Sequence, residues 1–404
     1  MLDPTLEDEG LGPSRFSAAL AADWAARREA IAGAIRGRKA LVIGAAGTIG
    51  AATTRQLLEL APARLELIDV DENGLARLAR DIRSRDLAGT TEIGFNALDF
   101  GAWPALALMR EAGPFDLVLN FAAVKHVRSE KNPFTLLHMI GVNVIAQQRF
   151  AAHLARERLA RRHFVVSTDK AADPASFMGA TKLLLEAVAF AEAELPGAPA
   201  TTAARFANVA YSSGSLLESY LQRFAAGQAL AAPKDTRRYF ISARHAARIC
   251  LLTQHVCPGG RIAVPRFDSV SGVVTLAETA AAFLAARGRT AHFVESAEAA
   301  ARLEGGSGPG YPVLLTPRDT SGEKEVEVFK GAGETAEPLG LESLEALKPA
   351  PIDRQAVASA LDELAQFVAG SKAPPEPREL ESVIGRVLPG FRHVAGDARL
   401  DDRI

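Results

Sequence analysis

Cysteine is nearly absent: Cys250 and Cys257 are the two in 404 residues, and they lack the second pair or the histidine spacing that a zinc site needs. They read as small apolar residues of a reducing compartment, and no metal site is expected. Charge of one sign is missing too. Lys and Arg number 46 against 48 Asp and Glu, a net charge of -2, which excludes a general nucleic-acid or membrane-surface binder and leaves only local anion sites. No apolar run approaches the roughly 20 residues of a membrane span, so no stable membrane insertion is expected. The acidic start "MLDPTLEDEG" is no signal peptide, and a cytoplasmic location is expected.

What is present is apolar material, 48% of the chain, enough for a full core. The runs "KALVIG" (39–44), "RLELIDV" (64–70), "TEIGFNAL" (91–98), "FDLVLNFAA" (115–123), "HFVVST" (163–168) and "TTAARFANV" (201–209) are separated by helix-period segments. Such alternation, with near-continuous apolar strands, predicts an α/β fold: a Rossmann-type doubly wound parallel sheet covered on both faces. A smaller C-terminal substrate-binding lobe and a helical tail complete the expected architecture. The boundaries read as an N-terminal arm and helix at 1–38, the Rossmann domain with the catalytic residues at 39–265, a substrate-lobe segment at 266–330 and a helical extension at 331–404. Residues 1–14 form the arm, and helical spacing over 16–35 predicts an amphipathic packing helix. Beyond about 265 the strand and helix signals weaken; 305–325 reads as a Gly-rich loop, followed by two helices at 352–370 and 377–388.

In "LVIGAAGTIGAATTRQLLEL", Gly44, Gly47 and Gly50 fall between a strand and a helix whose first residues include Thr48 and Ile49. Glycines there allow a tight turn and close approach of backbone N–H groups to a pyrophosphate. The next strand ends at Asp69, 19 residues after Gly50, where a carboxylate can accept from both ribose hydroxyls of an adenosine and would repel a 2′-phosphate. NAD is therefore expected over NADP. Asp99, after the third strand, stands where an adenine amino group can be met, or is simply a solvated strand-end carboxylate.

The stretch "HFVVSTDKAADPASFMGATKLLLEAVAF" has the layout of a strand, a loop and a helix carrying reactive groups. Short-chain dehydrogenases place a Tyr-x-x-x-Lys pair on one face of such a helix. Here the pair is Met178 and Lys182, and a thioether does not move protons. Thr168, Asp169 and Lys170 sit together at the strand end and offer a hydroxyl, a carboxyl acid and an amine base. Desolvation and a neighbouring positive nicotinamide are expected to lower the lysine towards neutrality.

These residues, with "GAAGTIG", "NFAAVKHV" (120–127), "MGATK", "RFANVAYSSGSL" (205–216) and "RRYFIS" (237–242), resemble the UDP-N-acetylglucosamine 4,6-dehydratases, the polysaccharide-biosynthesis branch of the extended short-chain dehydrogenases/reductases. The resemblance covers about residues 39–255. Some members have tyrosine at the position of Met178; others have methionine and resemble enzymes that retain configuration at C5. By resemblance, NAD takes hydride from C4 and returns it to C6, Lys170 removes the C5 proton and Asp169 protonates the departing 6-hydroxyl. Lys182 would hold the nicotinamide ribose, and Ala122 would belong to the cofactor site. For the 4-hydroxyl, Thr168 with Asp169 or a water ordered by Lys182 are candidate bases. Lys125 and His126 would line the sugar pocket, and Asn208 and Arg238 would contact the nucleotide diphosphate of a UDP-sugar, with Arg237 as the alternative arginine. Two departures stand out: the usual arginine of a "GSRGS" turn is missing from Ser212, Ser213, Gly214 and Ser215, and His245 replaces a common glutamate. A homo-oligomer is expected from the relatives. The competing expectations are a sugar-nucleotide 4-epimerase or oxidoreductase, and a NAD-binding protein without turnover.

Overall fold

The computed structural model describes residues 14–267, 273–303, 309–318, 322 and 324–394; the expected arm lies almost wholly outside them. Strands β1 (Lys39–Ile43), β2 (Arg64–Asp69), β3 (Glu92–Ala97), β4 (Phe115–Asn120), β5 (Ala160–Thr168) and β6 (Ala200–Phe206) run in the order β6-β5-β4-β1-β2-β3 within a nine-stranded sheet. Each pairs in parallel with its neighbour, Val42 standing opposite Leu67 on one side and Leu119 on the other. These central residues are fully buried, which is why the strands read as unbroken apolar runs: helices cover both faces. Chain order reverses direction across the sheet between β1 and β4, and the crevice beyond their carboxyl ends is where such sheets receive ligands.

The helix expected at 16–35 spans Arg15–Ile35, starts on a Ser14 cap and buries Phe16, Leu20, Trp24, Ile31 and Ile35, in part against the helix Ala243–Val256. Cys250 of that second helix and Cys257 beyond it are both buried thiols; burial raises the Cys257 thiol to about 12 and Cys250 further still.

Beyond β6 the sequence-based boundaries need correction. The small lobe begins well before residue 266, because the chain leaves the main sheet after β6 and returns to it only at Arg261–Pro265, parallel to β6. On the way it supplies Asn208–Val209, Leu230–Pro233 and Arg237–Ile241 to two three-stranded sheets. The expected Gly-rich loop at 305–325 contains a strand, Gly310–Thr316, parallel to Leu230–Pro233 and Thr290–Val294; its apolar "YPVLLT" buries Tyr311 and Val313. The extension at 331–404 is not all helical: Thr335–Pro338 and Leu344–Lys348 join the main sheet as its antiparallel edge. Strands of four and five residues are too short to show an alternation; Leu344–Lys348 is placed by pairing with Arg261–Pro265, and Thr335–Pro338 by pairing with Leu344–Lys348 in turn.

The tail helices are Arg354–Val368 and Pro377–Gly385. Their apolar faces, with Val357, Leu364, Phe367, Leu380 and Ile384, share one core with Leu136, Met139, Ile140 and Val144 and with Phe177, Met178, Leu184 and Val188 of the helix Phe177–Glu192. Phe391 meets Phe177 edge to face, and His393 stacks on it at 4.5 Å between ring centres. Among the described residues no helix is long and apolar enough to cross a membrane.

Candidate active site

The turn after β1 is built by contact, not by composition. Gly44 adopts φ +73°, and a Cβ on it would stand 2.8 Å from the Ala122 nitrogen; a Cβ on Gly50 would stand 2.1 Å from the Gly44 carbonyl oxygen. The helix Thr48–Leu58 therefore rests directly on the turn, with Gly47 at its N-cap and no side chain capping it. Its amino terminus is left facing the crevice. Asp69 at the end of β2 holds the turn, its Oδ2 accepting from the Ala46 N–H at 2.9 Å and its Oδ1 from the Asp71 N–H at 2.9 Å.

From this turn a cleft of about 370 Å³ runs along the carboxyl ends of β5 and β6. Gly44, Gly47, Thr48, Ile49, Gly50, Lys125, Thr168, Lys170, Met178, Lys182 and Asn208 all line it. Ala122 backs Gly44, and the His126 ring packs where a Cβ on Gly214 would meet its Cε1 at 2.4 Å. Asp99 is exposed, accepts from the Gly101 N–H at 2.8 Å, and lines a separate depression bounded by Gly141 and Val368. The buried Ser167 hydroxyl, on a residue that lines the cleft, has no hydrogen-bond partner among the described residues. A buried polar atom of this kind fits a polar ligand. The glycine cradle, the uncapped helix and this hydroxyl together fit a dinucleotide.

At the end of β5, Thr168 Oγ1 donates to Asp169 Oδ1 at 2.7 Å. The same oxygen accepts from the Lys170 N–H at 2.9 Å and from Lys170 Nζ at 3.2 Å. Asp169 is buried beneath the cleft lip, whereas the Lys170 side chain keeps 26% of its surface exposed. Of the two causes expected to lower this lysine, desolvation alone does not do so. Burial pulls Lys170 down, but Asp169 and Glu327 together outweigh it, against the opposing charge of Arg238, and hold the ammonium above its ordinary value. Glu327, whose Oε1 lies 3.3 Å from Nζ, is the partner that sequence reasoning missed.

Met178 is buried in the tail-helix core and donates its N–H to Glu130 Oε1 at 2.7 Å. Glu130 Oε2 in turn lies 3.0 Å from His393 Nε2. One turn along, Lys182 Nζ donates to the Val166 carbonyl at 2.6 Å, and burial, opposed by Glu186, lowers it to about 8. Buried Asn143 clamps the loop after β4, accepting from the Val124 N–H at 2.9 Å and donating to the Val124 carbonyl at 2.8 Å.

Arg238 is buried, and its Nη1 donates to the carbonyls of Arg237, Lys324 and Glu325 at 2.8, 3.0 and 3.1 Å. Arg237 donates its backbone N–H to the Glu325 carbonyl at 2.9 Å. A further arginine, Arg205 on β6, is fully buried between two carboxylates: it meets Glu186 of the helix Phe177–Glu192 at 2.9 and 2.7 Å and Glu334 at 2.7 and 2.6 Å. Its Nη1 also donates to the Phe329 carbonyl at 2.9 Å. Residues 324–334 are thus a strap held by Arg238 at one end and Arg205 at the other, with Lys324 ion-paired to Asp173 of the loop after β5.

A family model described as polysaccharide biosynthesis protein matches residues 40–300. The chain is 30% identical to the uncharacterized membrane protein MJ1061 of Methanocaldococcus jannaschii, over 57% of this chain and 67% of that one. It is 26% identical to a UDP-N-acetylglucosamine 4,6-dehydratase (inverting) of Campylobacter jejuni, over 58% and 68%. Two further polysaccharide-biosynthesis relatives are longer, and the match spans 39% and 41% of their lengths. Among solved structures, the dTDP-glucose 4,6-dehydratase DesIV of Streptomyces venezuelae, a double mutant with NAD and DAU bound, superposes with a TM-score of 0.54 at 20% identity, covering 72% of this chain and 88% of that one. The carboxyl-end cleft, its glycine cradle and the matched span of residues place the chain in one family: it belongs to the polysaccharide biosynthesis proteins.

Proposed function

We propose that this chain is a NAD-dependent 4,6-dehydratase of a UDP-N-acetylhexosamine, with UDP-N-acetylglucosamine the first substrate to test, working in the synthesis of a surface glycan. The observation that carries this reading is the contact chain Thr168–Asp169–Lys170 at the lip of the cleft, opposite the Gly44–Gly50 turn. Hydride exchange alone needs no such pair; loss of water across C5 and C6 needs both an acid and a base. A dehydratase among the relatives and another among the fold neighbours point the same way.

NAD held by the glycine turn, Asp69 and Lys182 would supply reversible acceptance of hydride from the sugar. The chain's own residues handle the protons. Thr168 Oγ1, already donating to Asp169, can take the 4-hydroxyl proton as it passes its own to the carboxylate, so no tyrosine is required at Met178. Asp169, protonated in that step, is then the acid for the departing 6-hydroxyl, and Lys170 takes the C5 proton and afterwards gives C5 a proton back, one that can have exchanged with solvent, as hydride would return to C6. One proton leaves O4 and one joins the leaving hydroxyl. The proton count closes with the release of water. Lys125, from the loop clamped by Asn143, and Asn208 beyond β6 line the same cleft and would meet the UDP-sugar.

The test is incubation of the purified protein with UDP-N-acetylglucosamine in deuterated water, followed by NMR and mass spectrometry. A product lighter by one water with deuterium at C5 is expected. An isomer of unchanged mass would instead identify a 4-epimerase, and unchanged substrate in a protein that contains NAD would overturn the assignment of this substrate.

Cofactor binding has its own test. Gly50→Ala puts a methyl group against the Gly44 carbonyl, which is backbone and cannot swing away. Displacing the turn is expected to weaken NAD binding by at least about tenfold, or ~1.4 kcal/mol, measured by calorimetry. Unchanged affinity would remove the turn from the cofactor site.

A further inference from the structure

Glu327 lies outside the motifs that define the cleft, yet it makes the second ionic contact of the lysine assigned as base. Its carboxylate is 3% exposed, on a residue that does not line the cleft, and its Oε1 stands 3.3 Å from Lys170 Nζ, an ion contact in which this oxygen accepts no aligned hydrogen bond among the described residues. Lys170 is therefore reached from two directions, by the cleft on one side and by Glu327 on the other. The flanks of Glu327 are fixed: Arg238 and Arg237 hold the carbonyl of Glu325, Lys324 is ion-paired to Asp173 of the catalytic loop, and Arg205 holds the carbonyl of Phe329. A carboxylate inserted this firmly beside a catalytic amine has a chemical consequence. Lys170 next to two carboxylates rests as an ammonium, and an ammonium removes no proton from carbon.

We propose that Glu327 is a positioning residue for Lys170, its carboxylate fixing Nζ at the cleft wall and accepting the proton that the lysine must shed to become a base. The proposal rests on the dehydratase reading. In the step, an N–H bond of Lys170 breaks and an O–H bond forms on Glu327, so that an ion pair becomes a neutral amine beside a neutral acid and no proton enters from solvent. The low local dielectric narrows the gap between those two states, since it penalises the charged pair. Burial raises Glu327 as a proton holder; Lys170 and Arg238 oppose this and Asp169 reinforces it. Asp169 on the lysine's own loop, Glu327 on the strap and Arg238 on the strand Arg237–Ile241 are the charged groups that act on Nζ.

The test compares wild type with Glu327→Gln and Glu327→Asp. With an internal proton acceptor, exchange of the C5 hydrogen with solvent is expected to be nearly independent of pH around neutrality. In Glu327→Gln the proton must leave for solvent, so the rate should fall at neutral pH and climb about tenfold per pH unit as the lysine titrates. Glu327→Asp should restore the flat profile at a lower rate. A residue that only braced the strap would lower the rate equally at every pH, and parallel profiles would overturn the proposal. A second measurement needs no turnover: the pH dependence of Lys170 modification by an amine-reactive reagent, read by mass spectrometry. Removing the carboxylate should move the midpoint to lower pH, and an unmoved midpoint overturns the proposal. A moved midpoint without C5 exchange in wild type would show that the dehydratase reading failed while Glu327 still governs the charge of Lys170.

Discussion

Lys170→Met should abolish exchange of the C5 hydrogen with deuterated solvent while leaving NAD bound. The methionine keeps most of the apolar stem and removes the amine that reaches Asp169 Oδ1 at the cleft lip. Loss of a positioned general base typically costs about 10²–10⁴ in rate, and mass spectrometry of recovered substrate resolves losses of that size. The glycine turn is held by its own backbone packing and by Asp69, so cofactor content should match wild type. Oxidation at C4 needs no C5 base, so a small amount of keto intermediate without deuterium at C5 is the expected residual. Wild-type rates of exchange in this variant would sink the assignment of Lys170, and loss of NAD along with exchange would show that the lysine holds the fold of the site instead.

Arg205→Met should be the most destabilising single change at the site. Arg205 is fully buried, and removing its charge leaves Glu186 and Glu334 facing each other with side chains 2% and 6% exposed. Breaking a buried ion pair from one side costs about 3–5 kcal/mol, because the abandoned charge has neither water nor partner. Here two carboxylates are abandoned at once. The expected readout is a large fall in the midpoint of thermal or chemical unfolding. Adding Glu186→Gln and Glu334→Gln to Arg205→Met should recover much of the loss, since the penalty lies in the orphaned charges rather than in the missing attraction. A single variant as stable as wild type would mean that the carboxylates take up protons without cost.

The elements that can be read from sequence share a physical property: their identity is local. β1 to β6 are apolar in continuous runs because each is covered on both faces, and the glycine turn carries its three glycines within seven residues. Thr168, Asp169 and Lys170 are adjacent, so their encounter needs no fold. Glu327 and Glu334 are different. They reach the site from a segment more than 100 residues beyond the catalytic loop, and "EVEVF" carries no pattern that distinguishes a buried carboxylate from a solvated one. The same reason hid Arg205, which reads as one basic residue in an apolar strand until its two partners are in place. The same distance in sequence bears on Lys170: Glu327 adds a second carboxylate to the adjacent Asp169, and together they hold the ammonium up against burial. Arg238, read as a ligand contact because arginines suit phosphates, donates to three backbone carbonyls, a role its residue type allows equally well.

The tail helices change what can be done with the molecule. They cover the face formed by Leu136, Met139, Ile140 and Val188, and the residues just after them reach the amino end of the helix Phe177–Glu192 through Phe391 and His393. A fragment cut at the end of the family-matched region would keep every described residue that lines the cleft, yet it would expose a broad apolar surface to water, lose Glu327 and Glu334, and leave Glu130 without its histidine. Such a fragment would be a sticky, unbraced Rossmann sheet rather than a minimal enzyme, so expression trials and domain fusions should treat residues 324–394 as part of the catalytic unit.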